Sequence, residues 1–153
     1  MVAIVVNHTA KYSAAHNKNT KLVEATARKI LGKLCAEFDV PNEVEILIRP
    51  IKGRGTTGRA WPYDIIAKKY VVEVDCRMSN ERRIAETLAH EFTHIEQYHQ
   101  KRLATKFGVR EWTTDEGTFK FNRATTHAAY LRQPWEVEAR KRGAEFVNKH
   151  FPV

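Results

Sequence analysis

The stretch Ala85–Gln97, AETLAHEFTHIEQ, constrains this chain more than any other. It contains His90-Glu91-Phe92-Thr93-His94, the spacing H-E-x-x-H, among apolar residues that recur at helical intervals. Two histidines four apart on a helix lie one above the other on one face. Their imidazoles can share one metal ion, usually zinc. Glu91, between them, does not simply extend that face; it can hold a metal-activated water and take its proton. The pattern points to metal-assisted hydrolysis, most often of peptide bonds.

A charged helix can carry the motif by chance, so its register matters. Ile84, Leu88, Glu91, Ile95 and Arg102 fall close to one direction on a helical wheel, with Phe92 beside them. Ser79 or Asn80 can cap the start, and Glu81 suits the first turn. His90 and His94 form a neighbouring stripe at the border of the buried face. Ligands there reach a cleft floor while the helix stays anchored.

The chain has 153 residues, the size of one domain over 1–153 with a real core. Its hydrophobic fraction of 42% is ordinary for a globular protein. No apolar run approaches the ~20 residues that span a bilayer, so no membrane partner is expected. The opening Met1–Val6 reads as a first strand, not a leader. Cys35 and Cys76 both read as small core residues without a C-x-x-C partner, and a reducing cytoplasm is the expected compartment. The net charge of +8 and pI of about 9.6 allow contact with nucleic acid. The basic residues are spread along the chain, with clusters at Lys52-Gly53-Arg54 plus Arg59 and at Arg140-Lys141-Arg142. Solvated helix faces account for most of them, so sequence-specific binding is not expected.

Asn7 to Lys21 is polar and reads as irregular at its start. Val23, Ala27, Ile30, Leu31, Leu34 and Phe38 then repeat as a helix ending near Asp39, before Pro41. Val44, Ile46 and Ile48 alternate with Glu43, Glu45 and Leu47 as a strand stopped by Pro50. Gly53–Arg59 reads as a loop and lacks the spacing of a phosphate-binding loop. Tyr63–Met78 holds a strand or hairpin, strongest at Tyr70–Cys76, which could line a peptide cleft beside the H-E-x-x-H helix. Thr118–Asn122 suggests a short hairpin arm. The expected fold is α+β. A small, mainly antiparallel sheet packs on an N-terminal helix and the H-E-x-x-H helix, and a later helix carries a third ligand.

A catalytic zinc site needs three protein ligands and an open position. The extension H-E-x-x-H-x-x-G-x-x-H fails, because Gln97 and Gln100 stand at its glycine and histidine positions. His99 lies roughly 140° around the helix from His94 and reads as a half-buried structural residue. Pro134 fits the first turn of a new helix. On that helix Glu136 shares its face with Ala139, Gly143, Phe146 and Val147, whereas Glu138 shares the opposite face with Lys141, Arg142, Glu145 and Lys149. Glu136 therefore faces the core and Glu138 faces water. A lone carboxylate on an apolar face needs a partner, which a zinc ion would supply. An oxyanion donor is also needed. Tyr130, Tyr98 and His127 are candidates, Tyr130 first because it lies just before the Glu136 helix; aromatic packing is the alternative role for each.

AHEFTHIEQY followed by YLRQPWEVEAR resembles the small single-domain gluzincin-type metallopeptidases, which include minigluzincins and many phage-encoded proteins. These combine H-E-x-x-H with a glutamate on a later helix, often in a P-x-E-x-E-A setting. The two motifs cover a small part of the chain; the rest matches by size and element order. The resemblance implies a zincin-like fold, zinc held by His90, His94 and Glu136, Glu91 as general base, and a protein or peptide substrate. Arg140 stands where some larger relatives have an aspartate, which leaves outer support of the histidines unassigned. Two other readings compete with a monomeric peptidase: a nucleic-acid-associated processing peptidase of the SprT type, and a non-catalytic interaction protein on the same fold.

Overall fold

A computed structural model describes residues 2–6, 14–41, 43–52, 55–64 and 69–153. The alternation around Val44, Ile46 and Ile48 forms strand β2, Glu43–Arg49, with those three side chains buried and Glu43 and Glu45 exposed. Strand β1, Val2–Val6, pairs with it in parallel, Ile4 against Ile46. Parallel neighbours need a long crossover. Here the crossover contains helix α1, Ala14–Glu37, which buries Val23, Ala27, Ile30 and Leu34, with Phe38 beyond its end. The polar stretch from Asn7 is thus helical from Ala14 onward, and Asn7–Ser13 lies outside the described residues. Cys76 is buried in the core as expected, but Cys35 is exposed. A helix turns by about 100° per residue, which carries Cys35 off the face that Leu34 buries.

Strand β3, Gly58–Asp64, and strand β4, Lys69–Asp75, complete a sheet of order β1-β2-β4-β3. The β2–β4 pair is parallel and the β3–β4 pair antiparallel. The expectation of one mainly antiparallel sheet is therefore wrong: this sheet is mixed. The reason lies in β4, which enters between β2 and β3 and is buried from Tyr70 to Asp75. Its unbroken Tyr70–Val72 run is the composition of a central strand covered on both faces. Gly58 and Arg59, expected in a loop, begin β3. Because β3 holds the edge, it and not β4 is the strand available to border a cleft.

The antiparallel pairing sits in a separate three-stranded sheet of strands β5, Leu103–Lys106, β6, Val109–Thr114, and β7, Gly117–Phe121. The hairpin arm expected near Thr118–Asn122 is its β6–β7 part. The sheet encloses a small cluster in which Leu103, Trp112 and Trp135 are buried. Trp135 meets Phe121 edge-on at 5.1 Å between centroids and Trp112 at 6.2 Å.

Helix α2, Glu81–His99, carries the H-E-x-x-H motif, and Asn80 caps it by accepting the Arg83 N–H at 3.0 Å. Its face of Ile84, Ala85, Leu88, Ala89, Phe92 and Ile95 joins α1 and the mixed sheet in the main core. Helix α3, His127–Arg132, leads into helix α4, Pro134–His150. α4 lies along α2 and approaches closely at Gly143, where an added Cβ would stand 3.1 Å from the Glu86 carbonyl oxygen. Among the described residues, no helix is long and apolar enough to cross a membrane.

Buried Glu96 ties three helices together. It pairs with Arg142 of α4 and with Arg102 at 3.5 Å, and it accepts the Asp39 N–H at 2.7 Å, just past α1. Arg142, expected on a solvated face, instead stacks 4.3 Å from the Phe38 ring. Removing one partner of a buried pair costs ~3 kcal/mol, far more than removing an exposed helical pair. Glu96→Ala should therefore lower unfolding free energy in urea by about 3 kcal/mol. Glu24→Ala, which deletes the exposed pair with Arg28, should lower it by under about 0.5 kcal/mol. Equal losses would refute Glu96 as the tie between the three helices.

Candidate metal centre

Three side chains converge where α2 meets the first turn of α4. His90 Nε2 lies 3.2 Å from His94 Nε2 and 3.1 Å from Glu136 Oε2, and His94 Nε2 lies 3.1 Å from Glu136 Oε1. A tetrahedral ion with bonds of about 2.0–2.1 Å separates its ligands by about 3.3 Å. The spacing is one at which these three side chains could hold a single ion. The sequence argument that chose Glu136 over Glu138 agrees with this placement: Glu136 is the carboxylate that stands with the histidines.

The electrostatics also favour a cation. Burial would raise the Glu136 carboxyl, but hydrogen bonds and charge from His90 and His94 outweigh it and hold the group well below the ordinary carboxylate range. Burial would lower His94; its bond to Glu136 and the charges of Glu91 and Glu136 prevail and raise it. Two buried carboxylates thus face two imidazoles, a donor set suited to a divalent ion.

Support for His94 comes from Gln97, whose signal in the sequence is its i+3 spacing from that histidine. Gln97 Oε1 lies 2.9 Å from His94 Nδ1, so Nδ1–H donates to it and Nε2 is the ring nitrogen turned to the cluster. The Gln97 amide in turn donates to the Trp135 carbonyl at 3.1 Å and to Glu138 Oε1 at 3.2 Å. Glu138 was expected to face water. It is instead half-buried, because Arg102 folds back from beyond the end of α2 and grips both its oxygens at 2.9 and 2.8 Å. Arg140 is exposed and donates to the Leu131 carbonyl at 2.7 Å, away from the histidines. His99 is half-buried as expected, 3.7 Å from Asp39, and takes no part in the cluster.

Glu91 is buried, and among the described residues no protein donor bonds its carboxylate. Burial pushes it up, and the His94 and His90 charges pull it back. It borders two recesses, one of about 620 Å³ on the His94 side and one of about 410 Å³ on the His90 side. β3 passes directly over it: a Cβ at Gly58 would stand 2.7 Å from Thr87 Cγ2 and 2.9 Å from Glu91 Cγ. Tyr130 borders both recesses, and desolvation followed by the charge and hydrogen bond of Glu136 raises its phenol above the ordinary value. His127 stacks on Tyr130 at 6.3 Å. Tyr98 lies in the larger recess with its hydroxyl 3.4 Å from Arg110 Nη1.

No family model matches the chain, and comparison with curated proteins and with solved structures returned no match.

The geometry sets an order of effects on metal content, read as bound metal per chain after dialysis. His90→Ala should lose the ion, and Glu136→Gln should weaken it far more than Glu138→Gln. Equal retention in the two glutamate variants would refute Glu136 as a ligand. Gln97→Leu should weaken affinity by about 10–100-fold, the usual effect of losing a histidine's outer partner. An unchanged affinity in a competitive chelator titration would remove Gln97 from the site.

Proposed function

We propose that this chain is a zinc-dependent metallopeptidase with His90, His94 and Glu136 as ligands and Glu91 as general base. The observation that carries this reading is a three-ligand cluster beside a buried carboxylate with no protein donor, beneath an edge strand. Two imidazoles and one carboxylate are a donor set that would suit zinc. When bound, zinc would polarise the scissile carbonyl and lower the pKa of water. Glu91 accepts the proton of the attacking water and returns it to the leaving amine. Its burial favours that return, because desolvation stabilises the protonated carboxyl. Tyr130, held protonated by the surroundings that raise it, donates its hydroxyl to the developing oxyanion. The outer edge of β3 offers backbone groups to an extended peptide laid across Glu91.

The net charge of +8 is the observation on the side of a nucleic-acid role. Ion pairs such as Arg102 with Glu138 and Arg142 with Glu96 leave that excess unchanged, but a net charge specifies no chemistry, whereas the His90–His94–Glu136 cluster beside Glu91 does. We therefore favour the peptidase.

Glu91→Gln should keep the metal and the fold but lose the base. Cleavage of an unbiased peptide pool should fall by at least about 10²–10⁴-fold. Chelation should abolish activity in the parent and added zinc restore it. Cleavage that survives the substitution unchanged would overturn the role of Glu91, and a parent protein that cleaves nothing would overturn the peptidase reading.

A further inference from the structure

The larger recess beside the metal cluster has an uneven charge. Its acidic lining residues are Glu136 of the cluster and Glu91 beside it, whereas Arg59, Arg110 and Arg123 line its other parts. Among the described residues, none of these three arginines forms an ion pair. The arginines that hold the fold together do form one, as Arg102 does with Glu138 and Arg142 with Glu96.

Arg110 is the most constrained of the three. It stands on β6 between Thr105 of β5 and Phe121 of β7, and it is half-buried. Its Nη1 donates to the Tyr98 hydroxyl at 3.4 Å, and its guanidinium lies 5.9 Å from the Trp135 ring centroid. Its charge also reaches Tyr130 on the recess wall. A neutral phenol and an indole face orient a guanidinium without neutralising it, and most of its five N–H donors stay available. A partly desolvated cation with no counter-ion is costly. A carboxylate, which takes two parallel N–H bonds from the fork, is its natural complement. Trp135 adjoins Glu136 in the chain, so the ring under Arg110 is fixed relative to the metal ligand.

We propose that this recess is a substrate subsite for a carboxylate, with Arg110 as its specificity-determining residue and Arg59 and Arg123 raising the local positive potential. The inference rests on the peptidase reading and adds the chemical class of its substrate: a peptide with an Asp or Glu side chain, or its own C-terminal carboxylate, at a fixed distance from the scissile bond. Hydrogen bonds to charged groups contribute enough for about 10–100-fold discrimination against the uncharged amide analogue.

The test digests two random peptide pools, one with free and one with amidated C-termini, with zinc-loaded parent, Arg110→Met, Arg110→Lys and Arg110→Glu proteins. For the parent, cleavage sites should carry Asp or Glu over Asn or Gln at one position by about 10-fold or more. Alternatively, the same excess should appear as a preference for free over amidated termini. The ratio should fall towards one in Arg110→Met, survive in part in Arg110→Lys, and invert towards Lys and Arg in Arg110→Glu. Parent cleavage without any carboxylate preference, or an Arg110→Met ratio equal to the parent's, would overturn the subsite and leave the peptidase reading standing. If the parent cleaves nothing, the peptidase reading falls, and the subsite is decided by capture of the same pools on immobilised Glu91→Gln protein. Enrichment of carboxylate-bearing peptides that Arg110→Met abolishes would sustain it, and no enrichment would overturn it.

Discussion

The buried carboxylate of Glu136, set against two imidazoles of the neighbouring helix, is the interaction on which the rest of the structure turns. An unpaired carboxylate in that position would be strongly unfavourable. The compensation works only if α2 and α4 lie close enough for side chains of ordinary length to meet. Gly143 permits that approach, since any side chain there presses on the backbone of α2 at Glu86. Trp135 fixes the other coordinate by locking the start of α4 into the small sheet through Trp112 and Phe121. Gln97 closes the frame, because one amide holds His94 on one side and the Trp135 carbonyl on the other. A single side chain thus relates the second histidine to the turn that presents the glutamate.

Such a frame needs a stiff foundation, and the second half of α2 supplies it. From Glu91 to Gln97 every residue is buried, an unusual state for a stretch holding two glutamates, a histidine and a glutamine. The main core encloses it on one side, and α4 and the small sheet enclose it on the other. Its polar groups are committed in turn. Thr93 bonds the Ala89 carbonyl at 2.8 Å, His94 bonds Gln97, and Glu96 takes Arg142. Glu91 is the exception, with its carboxylate left to the recesses. Placing the uncommitted group on a helix buried along this whole stretch is an arrangement suited to preorganised chemistry.

The parts of this site legible in the sequence are those written in local periodicity. The i,i+4 histidines, the Asn80 cap and the inward side of Glu136 follow from helix geometry acting within a few residues. What escaped depends on partners distant in the chain. Strand direction is not legible, because Tyr70–Val72 signals a doubly covered strand but does not say which strands flank it. Glu138 shares a helical face with lysines and was expected in water, yet Arg102 arrives from the end of another helix and draws it in. Cys35 failed for the opposite reason: the apolar face of α1 is narrower than its composition suggests. α3 and β5 are too short to impose a pattern. The resemblance suggested by the two motifs points to His90, Glu91, His94 and Glu136 and says nothing of Gln97, which occupies the position where a longer zinc motif would need glycine.

Gly58 joins these strands of argument. Three glycines in Gly53–Gly58 looked like loop composition, and the last of them opens the edge strand instead. At that point the strand crosses the helix so closely that a Cβ would collide with Thr87 and with Glu91 itself. A missing side chain in an edge strand weakens the strand, and such a glycine often marks a close backbone approach. Here the approach puts the free edge of the sheet against Glu91, whose buried carboxylate has no protein donor among the described residues, and the arginine-lined recess opens beside it. Edge, carboxylate and cationic recess lie within one surface because the residue that ought to separate the first two has no side chain. The same close contact ties the height of β3 above α2 to the rotamer of Glu91, so the strand that would align a peptide also fixes where the carboxylate stands.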